Sequence, residues 1–280
     1  MNDIYFINFY IICTELSQEN NVHHVKRLTA ETNSCRVIFI TIEQSPAVIN
    51  MKNRISVIIP VYHEAQGINR TLLQFSRISR NTAHEIIVVD GDREGGTIRS
   101  ISDPFVKTTV APKGRAVQMN HGAMAASGDI LLFLHADTIL PANALALIQS
   151  TLFATATAYG AFELGIASDK PVYRLIEATV RIRTRVTGIP YGDQAVFLTK
   201  DVFDRAGGYP EIPIMEDVAL MRRLKKRKAG ICIIPEKVYT SPRRWESEGI
   251  VRCTLRNWLL ATCFLLGASP EKLAKYYKTF

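Results

Sequence analysis

His135-Ala136-Asp137 places an imidazole and a carboxylate on either side of a small residue, directly after the apolar run 130–134. Both groups can ligate Mn²⁺ or Mg²⁺, and Mg²⁺ is usually held by one or two carboxylates together with substrate phosphates. Two other apolar runs end in the same way, at Tyr62-His63-Glu64 and at Asp90-Gly91-Asp92. Any one such carboxylate reads as a cap of the turn that follows. Buried strands do not need charged tips, however, and at one edge of one sheet Glu64, Asp90, Asp92 and Asp137 would converge on a pocket. Pro112-Lys113-Gly114-Arg115 stands before a helix, where cations beside a glycine suit a phosphate or a ribose. Met215-Glu216-Asp217 opens another helix. There Asp217 shares a stripe with Leu220, Met221 and Leu224, so it faces inward, and the helix dipole keeps it ionised. It fits a general base and a helix cap equally well. Ser241-Pro242-Arg243-Arg244-Trp245 offers two guanidiniums and an indole, suited to a diphosphate and a sugar or apolar face, or to a stacked surface corner.

The chain lacks several common signatures. Gly91, Gly95 and Gly96 do not make G-x-G-x-x-G, and no G-x-x-x-x-G-K-[ST] occurs. His63, His84, His121 and His23-His24 show no zinc spacing. Five cysteines (Cys13, Cys35, Cys232, Cys253, Cys263) with no C-x-x-C pair argue against a disulfide framework and fit a reducing cytosol.

The elements that would position these groups alternate from residue 55 onward. Residues 55–61 form a continuous β-branched run, as a buried parallel strand does. A helix is expected at 68–79 and strands at 85–89 and 105–110. A helix at 115–126 is closed by Ser127-Gly128, and a strand follows at 130–134. Pro141 opens the next helix. Farther on the pattern predicts a strand at 159–165, a helix at 172–185, and a short strand at 195–199. Two strands at 231–234 and 237–240, broken by Pro235, precede a helix at about 248–267. Such alternation predicts an α/β fold with a mostly parallel central sheet and helices on both faces, its ligand beyond the carboxyl ends of the strands.

Basic residues exceed acidic ones by 34 to 26, a net charge of +8. The run Arg222-Arg223-Leu224-Lys225-Lys226-Arg227-Lys228 carries much of the excess and reads either as a solvated helix end or as an anion-binding patch. No apolar stretch reaches the roughly 18–20 residues of a spanning helix. Residues 1–50 carry no sustained period, and Met51-Lys52-Asn53-Arg54 leads straight into a strand. Met51 is therefore expected to be the natural start and 1–50 an extension with little structure. Residues 51–245 would be one compact two-lobed domain. Residues 246–280 would add an amphipathic helix packed on that domain or on a membrane surface.

The order of these motifs resembles the family 2 glycosyltransferases of the GT-A fold. The matching segments are Ile55-Ser56-Val57-Ile58-Ile59-Pro60-Val61-Tyr62-His63-Glu64, Ile86-Ile87-Val88-Val89-Asp90-Gly91, Gly114-Arg115-Ala116, His135-Ala136-Asp137-Thr138 and Glu216-Asp217, spanning about 55 to 245. The resemblance implies that Pro60, Val61 and Glu64 line the nucleoside pocket, that Asp90 bonds the base, and that Arg115 reaches the nucleotide. Asp137 would hold a Mn²⁺ or Mg²⁺ ion at the donor diphosphate, and Asp217 would deprotonate the acceptor hydroxyl for an inverting displacement. Arg244-Trp245 resembles the late Arg-Trp element of some members. The chain departs from the family pattern at His135, where an aspartate usually opens D-x-D, and at Asp90-Gly91-Asp92, where Asp-Asp-Gly-Ser is commoner. In its histidine it is similar to a bacterial branch described as radical-enzyme and selenodomain-associated glycosyltransferases.

The expected reaction is thus sugar transfer from a nucleotide-diphosphate donor, a UDP-sugar by preference, with a glycan, lipid-linked or carotenoid-like acceptor. Asp92 and Lys113 would assist at the donor, Glu216 beside Asp217, and His135 beside Asp137. Two alternatives are a nucleotidyltransferase, for which the loop after the first strand lacks a glycine-rich basic signature, and a non-catalytic membrane-surface module. Nucleic acid is not an expected partner, because no aromatic interleaving accompanies the basic run. The expected location is the cytoplasm, with a contact at the inner face of the plasma membrane through Val251, Leu255, Trp258, Leu259 and Leu266.

Overall fold

The computed structural model of the chain describes residues 54–78, 82–155, 157, 159–227 and 230–277, with the backbone of three strands before them. Those strands are β1 (Ile11–Thr14), β2 (Val25–Thr32) and β3 (Cys35–Ile42). They form an antiparallel ladder, and β3 continues in parallel onto a strand of the main sheet. Val37-Ile38-Phe39-Ile40 is a β-branched and aromatic run, of the kind that favours a strand. The rest of 1–50 lies outside the described residues.

The main sheet is built from β4 (Ile55–Val61), β5 (His84–Asp90), β6 (Lys107–Val110), β7 (Ile130–Phe133), β8 (Tyr159–Ile166), β9 (Phe197–Thr199) and β10 (Ile231–Thr240). With the first three strands the order is β1-β2-β3-β10-β8-β9-β7-β4-β5-β6. From β7 to β6 all pairs are parallel, as are β8 and β10; of the strands β4 to β10, β9 alone runs antiparallel to both its neighbours. Two predicted strands at 231–240 are in fact one. The irregularity that Pro235 causes is a register shift between Ile234 and Lys237, not a break.

Helices cover both faces: α1 (Ile68–Leu73), α2 (Phe75–Ile78), α3 (Arg115–Ala125), α4 (Ala144–Thr155), α5 (Pro171–Thr187), α6 (Lys200–Ala206) and α7 (Glu216–Lys226). Side chains alternate along β4. Ile55, Val57, Ile59 and Val61 pack with Ile68, Leu72, Leu145 and Ile148 on one face. Ile58 packs with Ala116, Met119, Leu220 and Met221 on the other. Gly122 sets the closeness of α3, since a Cβ there would lie 2.5 Å from Ile58 Cγ2. Pro141 does not open α4. It starts a turn closed by the Ala144 amide on the Pro141 carbonyl, and the helix begins three residues later.

At the amino edge of the sheet, Glu85 is almost fully enclosed. Its Oε1 accepts from Ser56 Oγ at 2.6 Å and from the amide and hydroxyl of Ser127 at 2.7 and 2.8 Å. Its Oε2 accepts from Lys107 Nζ at 2.6 Å. Burial opposes ionisation here, but Lys107, Ser56 and Ser127 outweigh it and bring the carboxyl down to about 2.

The chain ends in α8 (Arg243–Glu248), α9 (Ile250–Leu265) and α10 (Pro270–Ala274), so the helix expected from 248 is split at Gly249. α9 buries Cys253, Leu260 and Ala261 and leaves Val251, Leu255, Trp258 and Leu259 exposed. Among the described residues no helix is long and apolar enough to cross a membrane. Much of the basic run is engaged within the fold. Arg223 donates to the carbonyls of Ala206 and Gly208, Lys225 to Thr187 and Arg227 to Arg205. Cys232 and Cys253 are buried free thiols and Cys263 is half-buried; the side chains of Cys13 and Cys35, like Lys228, lie outside the described residues.

Candidate active site

Three parallel strands deliver their polar tips to the carboxyl edge, as the sequence predicts. After β7 the chain turns through His135–Thr138, closed by the Thr138 amide on the His135 carbonyl at 3.1 Å. Two side chains of the first helices fix this turn. Thr71 Oγ1 donates to the Ala136 carbonyl. Gln74 donates to the Thr138 carbonyl at 3.1 Å and accepts from the Leu140 amide at 2.8 Å. Neither residue stands out in the sequence.

The turn opens on a cavity of about 600 Å³. Of the residues singled out from sequence, Pro60, Val61, Glu64, Arg115, His135, Asp137, Asp217, Arg244 and Trp245 line it. Four others do not. Asp90 is fully buried and its carboxylate holds its own loop, accepting from the amides of Asp92, Thr97 and Ile98 at 2.9–3.3 Å. Asp92 likewise accepts from the amides of Glu94 and Gly96, and the Glu94 amide chiefly lowers its pKa against a slight opposing burial. Lys113 lies over the Tyr62 ring, 4.0 Å from its centroid. Glu216 is buried and pairs with Arg115. Burial opposes the Arg115 charge, but Glu216, with Tyr277 and Asp217 beyond it, more than restores it, so the guanidinium is held charged.

Charges of both signs are interleaved around the cavity. Its arginines are Arg115, Arg243 and Arg244, of which Arg243 pairs with Glu64 at 2.9 Å and Arg244 with Tyr277. Trp245 is anchored by its indole N–H on Thr254 Oγ1 at 3.2 Å and packs edge-on to Tyr173. Beside them the lining carries His135, Asp137, Asp193 and Asp217. Burial, then Arg115 and Arg244, push His135 down to about 3, so its ring is neutral and free to ligate. Burial raises Asp137, partly offset by Arg243. Among the described residues no three His, Cys, Asp or Glu side chains are grouped to hold a metal. His135 and Asp137 are the lining groups whose chemistry allows them to ligate Mn²⁺ or Mg²⁺.

Asp217, at the start of α7, accepts the Gly192 amide on Oδ2 and the Val218 amide on Oδ1, each at 2.7 Å. Gly192 is pressed against the site. A Cβ there would lie 3.0 Å from His135 Nε2 and 3.4 Å from Asp217 Oδ2. The next residue, Asp193, lines the cavity, and its Oδ1 is buried with no hydrogen-bond partner. Burial, opposed by Arg183 and reinforced by Asp217, pushes its carboxyl up to about 6. Gln118 ties the tips of β4 and β5 by donating to the carbonyls of Val61 and Val89. Sequence reading missed Gly192, Asp193 and Gln118. The visible signal was Gly188-Ile189-Pro190-Tyr191-Gly192-Asp193, a glycine- and proline-punctuated segment carrying a carboxylate just before a strand.

A cavity beyond the carboxyl ends of the strands is where an open α/β sheet binds its ligand, and comparison with known proteins identifies the family. The sequence profile of Glycosyl transferase family 2 matches residues 56–208, more than half of the chain. The chain belongs to glycosyl transferase family 2. Among solved structures it is similar to the mannosyltransferase PcManGT from Pyrobaculum calidifontis in complex with GDP-Man and Mn²⁺, with a TM-score of 0.57 and 20% identity over 79% of this chain and 67% of that one. It is also similar to S. aureus TarS 1-349, with a TM-score of 0.52 and 16% identity over 68% of this chain. The complex of the same fragment with UDP-GlcNAc gives 0.53 and 15% over 67%. The chain spans about three fifths of the length of that fragment. No curated protein matches.

Proposed function

We propose that the protein transfers a glycosyl group from a nucleoside-diphosphate sugar to an acceptor hydroxyl with inversion at the anomeric carbon. The observation that carries this reading is the cavity in which the His135–Thr138 turn, three arginines and the N-terminus of α7 meet. Pro60, Val61 and Glu64 form the nucleoside side of the pocket, and Arg115 and Arg244 the side for the diphosphate. Asp137, with His135 beside it, would hold a Mn²⁺ or Mg²⁺ ion there. Such an ion neutralises the charge that develops on the leaving diphosphate.

Asp217 takes the proton from the acceptor hydroxyl. The acceptor oxygen then bonds to the anomeric carbon as the bond from that carbon to the diphosphate breaks. The nucleoside diphosphate leaves with the electron pair, stabilised by the arginines. Lys113 and Glu216 act one step back, on the Tyr62 ring and the Arg115 side chain that line the cavity, and Asp90 and Asp92 hold the loop whose Thr97 hydroxyl accepts from the Glu64 amide. The exposed apolar face of α9, with Arg252 beside it, supports a peripheral contact with an anionic membrane surface. Flotation with anionic and neutral vesicles checks that contact; loss of α9-dependent flotation in Leu255→Glu is the expected result.

The test of the reaction is turnover of a panel of UDP- and GDP-sugars with Mn²⁺, Mg²⁺ or EDTA, by wild type and Asp137→Ala. Metal-dependent turnover that drops about 100-fold or more in the variant is expected. Unchanged turnover in the variant would overturn the role of Asp137, and no nucleotide binding by wild type would overturn the reading itself.

A further inference from the structure

One side chain of the cavity comes from well beyond residues 56–208, the segment that the family profile matches. α10 buries Leu273 against Ile214 and Leu260, and Met215 and Tyr277 pack on the same cluster. The amides of Tyr276 and Tyr277 close the end of α10 on the carbonyls of Leu273 and Ala274, at 3.0 and 3.1 Å. Two adjacent tyrosines thereby receive opposite settings. Tyr276 is 71% exposed, whereas Tyr277 is half-buried and lines the cavity.

Tyr277 sits among cations. Its hydroxyl oxygen accepts from Arg244 Nη1, and the Arg244 guanidinium lies 4.5 Å from the centroid of its ring. Arg256, itself paired with Glu248, lies at 5.5 Å, and Tyr277 is close enough to Arg115 to help hold its charge. A phenol both accepts and donates. Because the oxygen faces Arg244, its own proton points away from that guanidinium, and among the described residues nothing accepts it. The arginines around it draw anions, so an anionic oxygen is the acceptor that fits. Position then selects which one. The β4 tip, with Pro60 and Val61, forms the nucleoside side, whereas Tyr277 packs on Ile214 and Met215, directly before Glu216 and Asp217. The phosphate nearest Asp217 is the one whose bond to the anomeric carbon breaks.

We propose that Tyr277 is a donor-binding residue, which fixes Arg244 by accepting from it and gives its own hydroxyl proton, as a hydrogen bond, to the sugar-bearing phosphate. This rests on the glycosyl-transfer reading above. The bond strengthens as the sugar departs and that phosphate gains charge, so it stabilises the leaving group together with Arg244. A phosphate has oxygens enough for a metal ion, an arginine and the phenol at once.

The experiment measures binding of UDP, GDP, UMP and GMP by calorimetry, with Mn²⁺, to the whole chain as wild type, Tyr277→Phe and Tyr276→Phe. Phenylalanine keeps the ring on Arg244 and removes only the hydroxyl, and urea unfolding of each variant checks the fold. The diphosphate that wild type prefers should bind at least about tenfold more weakly to Tyr277→Phe, the loss of one charge-assisted hydrogen bond. The matching monophosphate should bind all three proteins alike, and Tyr276→Phe should equal wild type throughout. Unchanged diphosphate affinity in Tyr277→Phe would overturn the proposal, as would an equal loss for the monophosphate or in Tyr276→Phe. A rise in diphosphate affinity would overturn it too, since the hydroxyl would then block Arg244. A wild type that binds no nucleoside diphosphate overturns the glycosyl-transfer reading itself; every other outcome requires that binding, so the two failures are distinct.

Discussion

At the amino edge of the sheet Glu85 accepts four hydrogen bonds, whereas at the carboxyl edge Asp193 Oδ1, equally buried, accepts none. The same contrast appears in acidity. The Glu85 carboxyl is brought down to about 2 by Lys107 and the serines despite its burial, and burial drives Asp193 up to about 6. Strand starts face connections that need only be tied down, so their polar groups bond one another. At the strand ends the outcome varies: Asp90, Asp92 and Asp217 accept backbone amides, whereas Asp193 Oδ1 has no partner among the described residues. Perturbed carboxylates gather at functional sites, although ion-pair networks perturb them too.

The largest effect that would sharpen this contrast is expected for Asp217→Asn. Transfer should fall about 10²–10⁴-fold in kcat, the usual contribution of a positioned base, with nucleotide affinity by calorimetry unchanged. Retained transfer would remove Asp217 from the chemistry. Next comes Gly192→Ala. The added methyl would press on His135 and Asp217, so kcat should drop about tenfold while urea unfolding hardly moves. An unaffected kcat would mean that His135 and Asp217 tolerate displacement.

At the opposite edge, Glu85→Ala should leave kcat within about twofold but cost about 1–3 kcal/mol in urea unfolding, because Ser56 and Ser127 lose their acceptor. The wild-type protein should show the same group in acid. With a folded-state value near 2 against the ordinary 4.5, Glu85 stabilises the fold above pH 4.5, and that contribution is lost as pH falls from 4.5 through 2. The variant should lack this part of the acid transition. A large loss of activity in Glu85→Ala at full stability would break the distinction between the edges.

Much of the carboxyl edge was readable in the chain. β4, β5 and β7 are short continuous apolar runs that end in charge, and parallel strands must place such ends together. Thus Glu64, Asp137 and, through the helix stripe, Asp217 were identified from type and spacing, and all three line the cavity. Asp90 and Asp92 show the limit of that logic: position at the edge is legible, but whether a carboxylate points to the ligand or back to its own loop depends on amides several residues away.

What the sequence alone determined is therefore the alternation of elements, the family motifs and the chemistry at the tips of the parallel strands. Tertiary structure decided the other half of the site. β9 runs antiparallel to β7 and β8, so the residues before it, not after it, reach the carboxyl edge. That reversal brings Gly192 and Asp193 against His135 and Asp217. Strand direction is set by pairing between segments far apart in the chain, and local residue patterns do not encode it.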